Sequence, residues 1–362
     1  MFHQRLLAVF TLLATFSVAL TSSIRLSADD VPGVVTNNAS LMRIAFGSCC
    51  KQDQPQPIWD AIVETSPEVF LFIGDNIYGD TNDMDILKAK WQQLAENPGY
   101  QKLKAACPIL ATWDDHDYGQ NDAGEEYPMK VQSQQVFLDF FDEPSDSPRR
   151  SRPGVYGAYE FGPPGRRVQV LLLDTRYFRS PLVKYDEQHE PGEGMRGPYG
   201  RFLDPQATIL GEAQWAWLAK KLREPAEVRI IASSIQVVAD GHSWEKWGNM
   251  PLERQRMFEV IRDAKANGVI FLSGDRHSAE ISVCDPGVGY PLLDITSSSL
   301  NRPSEWHTEL NQHRVGAKYF EENFGMITID WTADDPVLRC QVRDITGQVV
   351  LQHRTRLSEL RP

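Results

Sequence analysis

An α/β fold is the class this chain predicts, and three observations predict it. From about residue 41 to residue 275, short apolar β-rich runs alternate with helix-like segments, the pattern of a mostly parallel sheet with helices on its faces. Most runs end in a small cluster of Gly, Asp, Asn, His or Cys, the place where open α/β sheets hold their ligand sites. From residue 291 onward the runs are joined by turns, so the C-terminal part is expected to be antiparallel. At 362 residues, 41% hydrophobic and 10% aromatic, the chain can bury a large core in one large or two modest domains.

Strand-like LMRIAF comes first and ends at GSC (47–49), and a helix-like segment covers about 57–65. The buried run EVFLFIG delivers GDNIY (74–78). A helical stretch at about 84–94 leads to CPILATW and then DDHD (114–117). The run VQVLLLD opens DTRYFR (174–179), VRIIASS leads to Ile235, and GVIFLSG ends in GDRHS (274–278). Between the last two lies PLERQRMFEVIRDAKANG, with Leu252, Met257, Val260 and Ile261 on one stripe and a stop at Gly268, a helix expected to pack on the sheet. PLLDITSSS, GMITIDW, LRCQV and QVVLQHR complete the chain, the last two about an Asp-Ile-Thr-Gly turn. Segments 144–154 and 184–200, rich in Pro, Gly and charge, read as long surface loops that rim a cleft or simply decorate the surface.

Charge and the first residues bound the partners. A net charge of -12 excludes a nucleic-acid backbone or an anionic membrane surface as the main partner, since both need clustered Lys and Arg. Arg5, the apolar stretch 6–20, and small residues at Ser17 and Ala19 have the form of a secretory signal cleaved after Ala19. The stretch falls short of the roughly 20 residues of a membrane span, and no second one could act as a stop-transfer. Residues 1–28 are therefore read as a signal and short mature segment, residues 40–360 as the folded domain, and the location as periplasmic or extracellular. In an oxidising compartment five cysteines are an odd number. If Cys49 serves chemistry, Cys50, Cys107, Cys284 and Cys340 leave room for up to two bridges, with the pairing open.

The clusters suggest metal chemistry. A single Gly-Asp makes an ordinary turn, but Asp75 and Asp275 each come after a buried strand of the same type, with a glycine that lets backbone approach a ligand. His277 shares the Asp275 loop and points the same way if that loop is extended. Three carboxylates around His116 repel one another unless a cation or solvent relieves them. Cys49 is a soft ligand suited to iron or zinc, or else a disulfide or buried thiol; Tyr78 is a candidate phenolate ligand or a packing residue. Trp244 and Trp247 wall the cleft or fill the core, and His242, His307 and His313 lack a supporting pattern.

GSC, GDNIY, TWDDHDYG, LLLDTRYFR, SSIQV followed by EKWGNMPLER, and LSGDRHS, running from about 43 to 299, together resemble the alkaline phosphatase D (PhoD-like) branch of the calcineurin-like metallophosphoesterases. The resemblance implies a four-layer αββα sandwich of mixed sheets, without the extra N-terminal β-domain of larger members. It implies an exported hydrolase of phosphoric esters with two metals bridged by Asp75. Ferric iron would take Cys49, Asp75, Tyr78 and His277, and a hard cation such as calcium would take Asp75, Asp115 and Asp275. Asp114 is a fallback ligand and Gln236 a conjectural one. A hydroxide on this pair would attack phosphorus, with His116 stabilising phosphoryl oxygens or protonating the leaving alkoxide. Arg176 and Asn76 would donate to the phosphate, unless Arg176 is a structural partner of Asp174. Expected partners are a small or polymeric phosphate ester, acted on by a monomer. The other readings are a phosphodiesterase or phospholipase D-like enzyme, and a non-catalytic secreted metal-binding protein.

Overall fold

The computed structural model describes residues 34–37, 39–185, 196–304 and 309–362. The signal segment 1–28, residues 186–195 of the second long loop, and His307 lie outside the described residues. No described helix is long and apolar enough to cross a membrane.

Thirteen strands occur in chain order: β1 (Val34–Asn37), β2 (Arg43–Gly47), β3 (Val69–Ile73), β4 (Ile109–Thr112), β5 (Gly157–Phe161), β6 (Val168–Leu172), β7 (Val228–Ala232), β8 (Val269–Ser273), β9 (Ala279–Cys284), β10 (Leu292–Ser297), β11 (Asn323–Asp330), β12 (Val337–Asp344) and β13 (Val349–Arg356). They form two mixed sheets, as the resemblance implied, where the alternation alone suggested a single mostly parallel one. One has the order β1-β5-β6-β7-β8-β10-β9 and the other β13-β12-β11-β2-β3-β4. Apolar runs buried on both faces look alike whichever sheet they join, so the split left no mark on the pattern. β2, β3 and β4 are mutually parallel, as are β6, β7, β8 and β10. β11, β12 and β13 are antiparallel as expected. PLLDITSSS supplies β10, which pairs antiparallel with β9 and parallel with β8. β1, β5 and β9 were not anticipated.

Period-two alternation assembles the layers. In β3, Val69, Leu71 and Ile73 join a core with Val170, Ile230 and Ile270 of the facing sheet, while Phe70 and Phe72 turn to a second core under the helices α1 (Ile58–Glu64), α2 (Met84–Ala95) and α3 (Pro98–Ala106). Trp59 of α1 meets Phe70 and Phe72 edge-on at 6.0 and 5.9 Å. A short α4 (Asp115–Tyr118) and α5 (Lys130–Phe140) extend that helical layer, and α6 (Gly211–Lys221) and α7 (Pro251–Asp263) cover the other sheet, giving an αββα sandwich. Asp83 caps α2 and Asn97 caps α3, each accepting from two backbone N–H groups. All five cysteines are free, so neither of the two bridges considered is present.

DTRYFR resolves into a structural clamp. The buried Asp174 carboxylate accepts from Trp113 Nε1 and Val155 N at 2.8 Å and from Arg176 N and Tyr177 N at 2.9 Å, tying the end of β6 to the segment after β4. Asp174→Ala leaves these donors unsatisfied and should cost about 3 kcal/mol or more in chemical denaturation. A variant as stable as the wild type would refute this role.

Candidate metal centre

Both sets of parallel strands end at the same edge, and the site is built from residues just beyond those ends. Ser48 and Cys49 lie after β2, Asp75 after β3, Asp114 and Asp115 after β4, Ser234 after β7, Asp275 and His277 after β8, and Ser298 after β10. The turns are sharp. Of nine described non-glycine residues with positive φ, six are here: Cys49, Asp75, Asp80, Asp122, Asp275 and His277. Such backbone costs energy and persists where surrounding structure imposes it, most often at functional sites. Gly74 is needed twice over: its φ is 110°, and a Cβ there would lie 2.6 Å from Asp114 Cβ.

Potential ligand atoms converge into overlapping groups, each within 4.8 Å: Cys49, Asp75 and His277; Asp75, Asp115 and His116; Asp114, Asp115 and Asp275. Asp75 belongs to the first two, and so stands between the thiol and the carboxylates. The left-handed turn at Asp275 (φ 67°) and His277 (φ 50°) departs from the extended loop expected. As a result the two side chains enter different groups. Tyr78 Oη lies 3.3 Å from His277 Nε2, and its ring packs against His116 at a 37° tilt with centroids 4.2 Å apart.

The charge balance is severe. Asp75 and Asp115 are almost fully buried and Asp114 wholly so. Burial, then the neighbouring thiol and carboxylates, drives Asp75 well above the usual carboxylate range; burial and Asp114 do the same to Asp275. Asp114 rises to about 6 through burial, opposed by Arg176. Burial also acts on Asp115, but His116 and Arg176 outweigh it and hold this carboxyl below its ordinary value. Burial pushes the Cys49 thiol up to about 11, against hydrogen bonds with Ser298 (3.1 Å), Ser48 and Asp75. Without a cation Asp75, Asp275 and the Cys49 thiol favour their protonated forms. Asp75 Oδ1 and Asp114 Oδ2 are buried with no hydrogen-bond partner among the described residues. Orphaned oxygens inside an acid and thiol cluster fit a bound metal.

Several expected phosphate contacts sit elsewhere. Arg176 is fully buried and does not offer its fork to the cavity: Nε donates to Asp114 Oδ1 at 2.5 Å and Nη1 to Glu245 Oε2 at 2.6 Å. Its link to Asp174 is through the backbone N–H. Asn76 donates its amide to Thr112 O (2.9 Å) and Asp117 Oδ2 (2.6 Å), which locks the Asp75 loop to DDHD. Gln236 spends its amide on Glu280, Thr296 and His242, away from the acidic groups, which makes His242 a core residue. Trp247 is core, whereas Trp244 lines the cavity. That cavity, about 590 Å³, opens over Asp115, His116, Asp275 and His277.

Sequence reasoning missed four contributors. Ser298 accepts from His277 N at 3.0 Å while touching Cys49, and the SSS after β10 was a visible but common signal. Asp80, two residues past Tyr78, holds His116 Nδ1 at 2.9 Å. Burial disfavours charge on His116, but Asp115 and Asp80 bring the imidazole up to about 9. Glu245 and Asp122, with Asp115, form a further carboxylate group on the cavity wall; Glu245 opens the EKWGNMPLER stretch, whose pattern does not mark it as a site residue, and Asp122 stands in no recognisable motif.

Two sheets whose strand ends share an acid, thiol and histidine cluster define an αββα sandwich with a candidate metal centre. The chain belongs to the PhoD-like phosphatase family, whose profile matches residues 44–337. It is similar to alkaline phosphatase D of Bacillus subtilis (strain 168), at 25% identity over 208 residues, 52% of this chain and 34% of that protein, so the match spans about a third of the curated relative's length. The solved structure of PhoD superposes with a TM-score of 0.67 at 17% identity, covering 90% of this chain and 70% of that one. Purple acid phosphatase PPD1 from yellow lupin (Lupinus luteus) seeds gives a TM-score of 0.59 at 12% identity, covering 89% and 55%.

If Asp75 serves the whole cluster, divalent or ferric cation added to metal-stripped protein should raise its stability, by about 2.7 kcal/mol per site at a hundredfold excess over Kd. Asp75→Asn should fold and lose most of that gain. A thermal titration with equal gains in both proteins would contradict this arrangement.

Proposed function

We propose that this chain is an exported, metal-dependent hydrolase of phosphoric esters, with two cations sharing Asp75. The observation that carries the reading is the overlap of the ligand groups at Asp75, beneath an open cavity and within a chain of the PhoD-like family. Cys49, Asp75, Tyr78 and His277 would hold one cation, for which a thiolate and phenolate suit ferric iron. Asp75, Asp115 and Asp275 would hold a harder cation such as calcium, with Asp114 in reserve. Bound there, the cations supply Lewis-acid polarisation of the phosphoryl group and a water of lowered pKa.

The chain's own residues do the rest. His116 is held at Nδ1 by Asp80, which leaves Nε2 to pass a proton to the leaving alkoxide. Its tilted packing against Tyr78 restricts the ring plane. Arg176 positions Asp114 and Glu245 from beneath and does not touch substrate. The cavity is open enough to admit a diester as well as a monoester, so phosphodiesterase activity belongs to the same reading. Export rests on the form of residues 1–28 alone.

The direct test measures hydrolysis of a phosphomonoester and a phosphodiester of the same alcohol, before and after chelation, alongside elemental analysis. Turnover that chelation abolishes and that returns with metal, in protein carrying iron, is expected. Full activity in metal-free protein would refute the proposal. His116→Ala should keep its metal and lose about 10²- to 10⁴-fold in kcat. Most of the activity surviving would remove His116 from the chemistry.

A further inference from the structure

With Arg176 buried, the cavity needs another group to meet an anionic substrate. Its walls carry Asp115, Asp122, Glu245 and Asp275, in a chain of net charge -12. Arg276 also lines it, but that guanidinium is buried and ion-paired with Glu309 at 2.7 Å. Arg302 is different. It is exposed, lines the same cavity, and makes no hydrogen bond or ion pair among the described residues. Its guanidinium lies over the face of Tyr78, 5.5 Å from the ring centroid, a cation–π contact that orients the group without using its donors.

The backbone beneath Arg302 is anchored on both sides. Leu300 N donates to Ser48 O at 3.0 Å, and the Asn301 side chain accepts from Lys51 N at 2.6 Å while donating to Lys51 O and Pro55 O at 2.8 and 3.1 Å. Ser304 N donates to His277 O at 3.0 Å. Pro303 narrows the conformations open to Arg302 itself. The segment is therefore stitched to the loops bearing Cys49 and His277. A long, exposed side chain thus projects from a fixed base at the cavity's edge.

We propose that Arg302 is the substrate-anion anchor of this site, gripping the free charged oxygens of a phosphomonoester and setting its preference for monoester over diester. The inference rests on the reading of the site as a phosphoric ester hydrolase. A monoester dianion offers a planar fork more charged oxygen than a diester monoanion, whose second arm occupies that position. Because the group is exposed, its contribution falls as ionic strength rises.

Wild type, Arg302→Ala and Arg302→Lys, matched for metal content, decide the matter. For p-nitrophenyl phosphate, Arg302→Ala should raise KM about tenfold or more with kcat essentially unchanged, and weaken inhibition by inorganic phosphate by the same factor. KM for bis(p-nitrophenyl) phosphate should change far less, and Arg302→Lys should fall between. Equal losses on both esters, or unchanged phosphate affinity, would overturn the proposal. If the wild type hydrolyses neither ester, the hydrolase reading fails separately, and calorimetry with inorganic phosphate still judges Arg302. Weaker phosphate binding in Arg302→Ala sustains the anchor, and equal binding removes it.

Discussion

Four aspartates, three of them buried, and a buried thiol crowd together where the strand ends of two sheets meet, and the surrounding structure answers to that crowding. Like charges this close and this far from water resist ionising together, so Asp75 and Asp275 favour protons unless a cation takes their place. Arg176 relieves the far side, bridging Asp114 and Glu245, and Arg179 adds a second contact to Glu245 at 2.9 Å. The near side, where Asp75 Oδ1 and Asp114 Oδ2 have no hydrogen-bond partner among the described residues, is the side that fits metal.

The architecture makes the crowding possible. A single parallel sheet brings loops together along one line; two sheets packed face to face bring two lines together. Cys49, Asp75 and Asp115 come from one sheet, and Asp275, His277 and Ser298 from the other. The inter-sheet core of Leu71, Ile73, Ile230 and Ile270 thus sets the spacing of the ligand groups from below. Left-handed turns at Cys49, Asp75, Asp275 and His277 then aim each side chain inward, at an energetic cost that the packed sheets sustain.

Much of this was legible in the chain. Strand ends marked by GSC, GDNIY, DDHD and GDRHS located Cys49, Asp75, Tyr78, Asp115, His116, Asp275 and His277, and the structure gathers all seven. Arg176 and Asn76 show where the reading stops. Both stand beside ligand positions in sequence, yet each turns its donors into the protein, and nothing in a linear pattern distinguishes an arginine facing a pocket from one facing two buried carboxylates. The alternation alone hid the second sheet, which the resemblance implied, for a similar reason: β3 is apolar on both faces, so its pattern records burial but not partner. Asp122 comes from a region with no recognisable motif, and Ser298 and Glu245 stand in stretches whose pattern does not mark them; all three reach the site only through tertiary packing.

The central claim is that Asp75 joins two cations in this one site. Anomalous diffraction from crystals of metal-loaded, active protein tests it most directly, using wavelengths on either side of the iron edge. The account predicts two separate metal peaks, each contacting an Asp75 oxygen, one beside Cys49 and His277 and the other beside Asp115 and Asp275. A single peak, or metal bound away from Asp75 in active crystals, would contradict it.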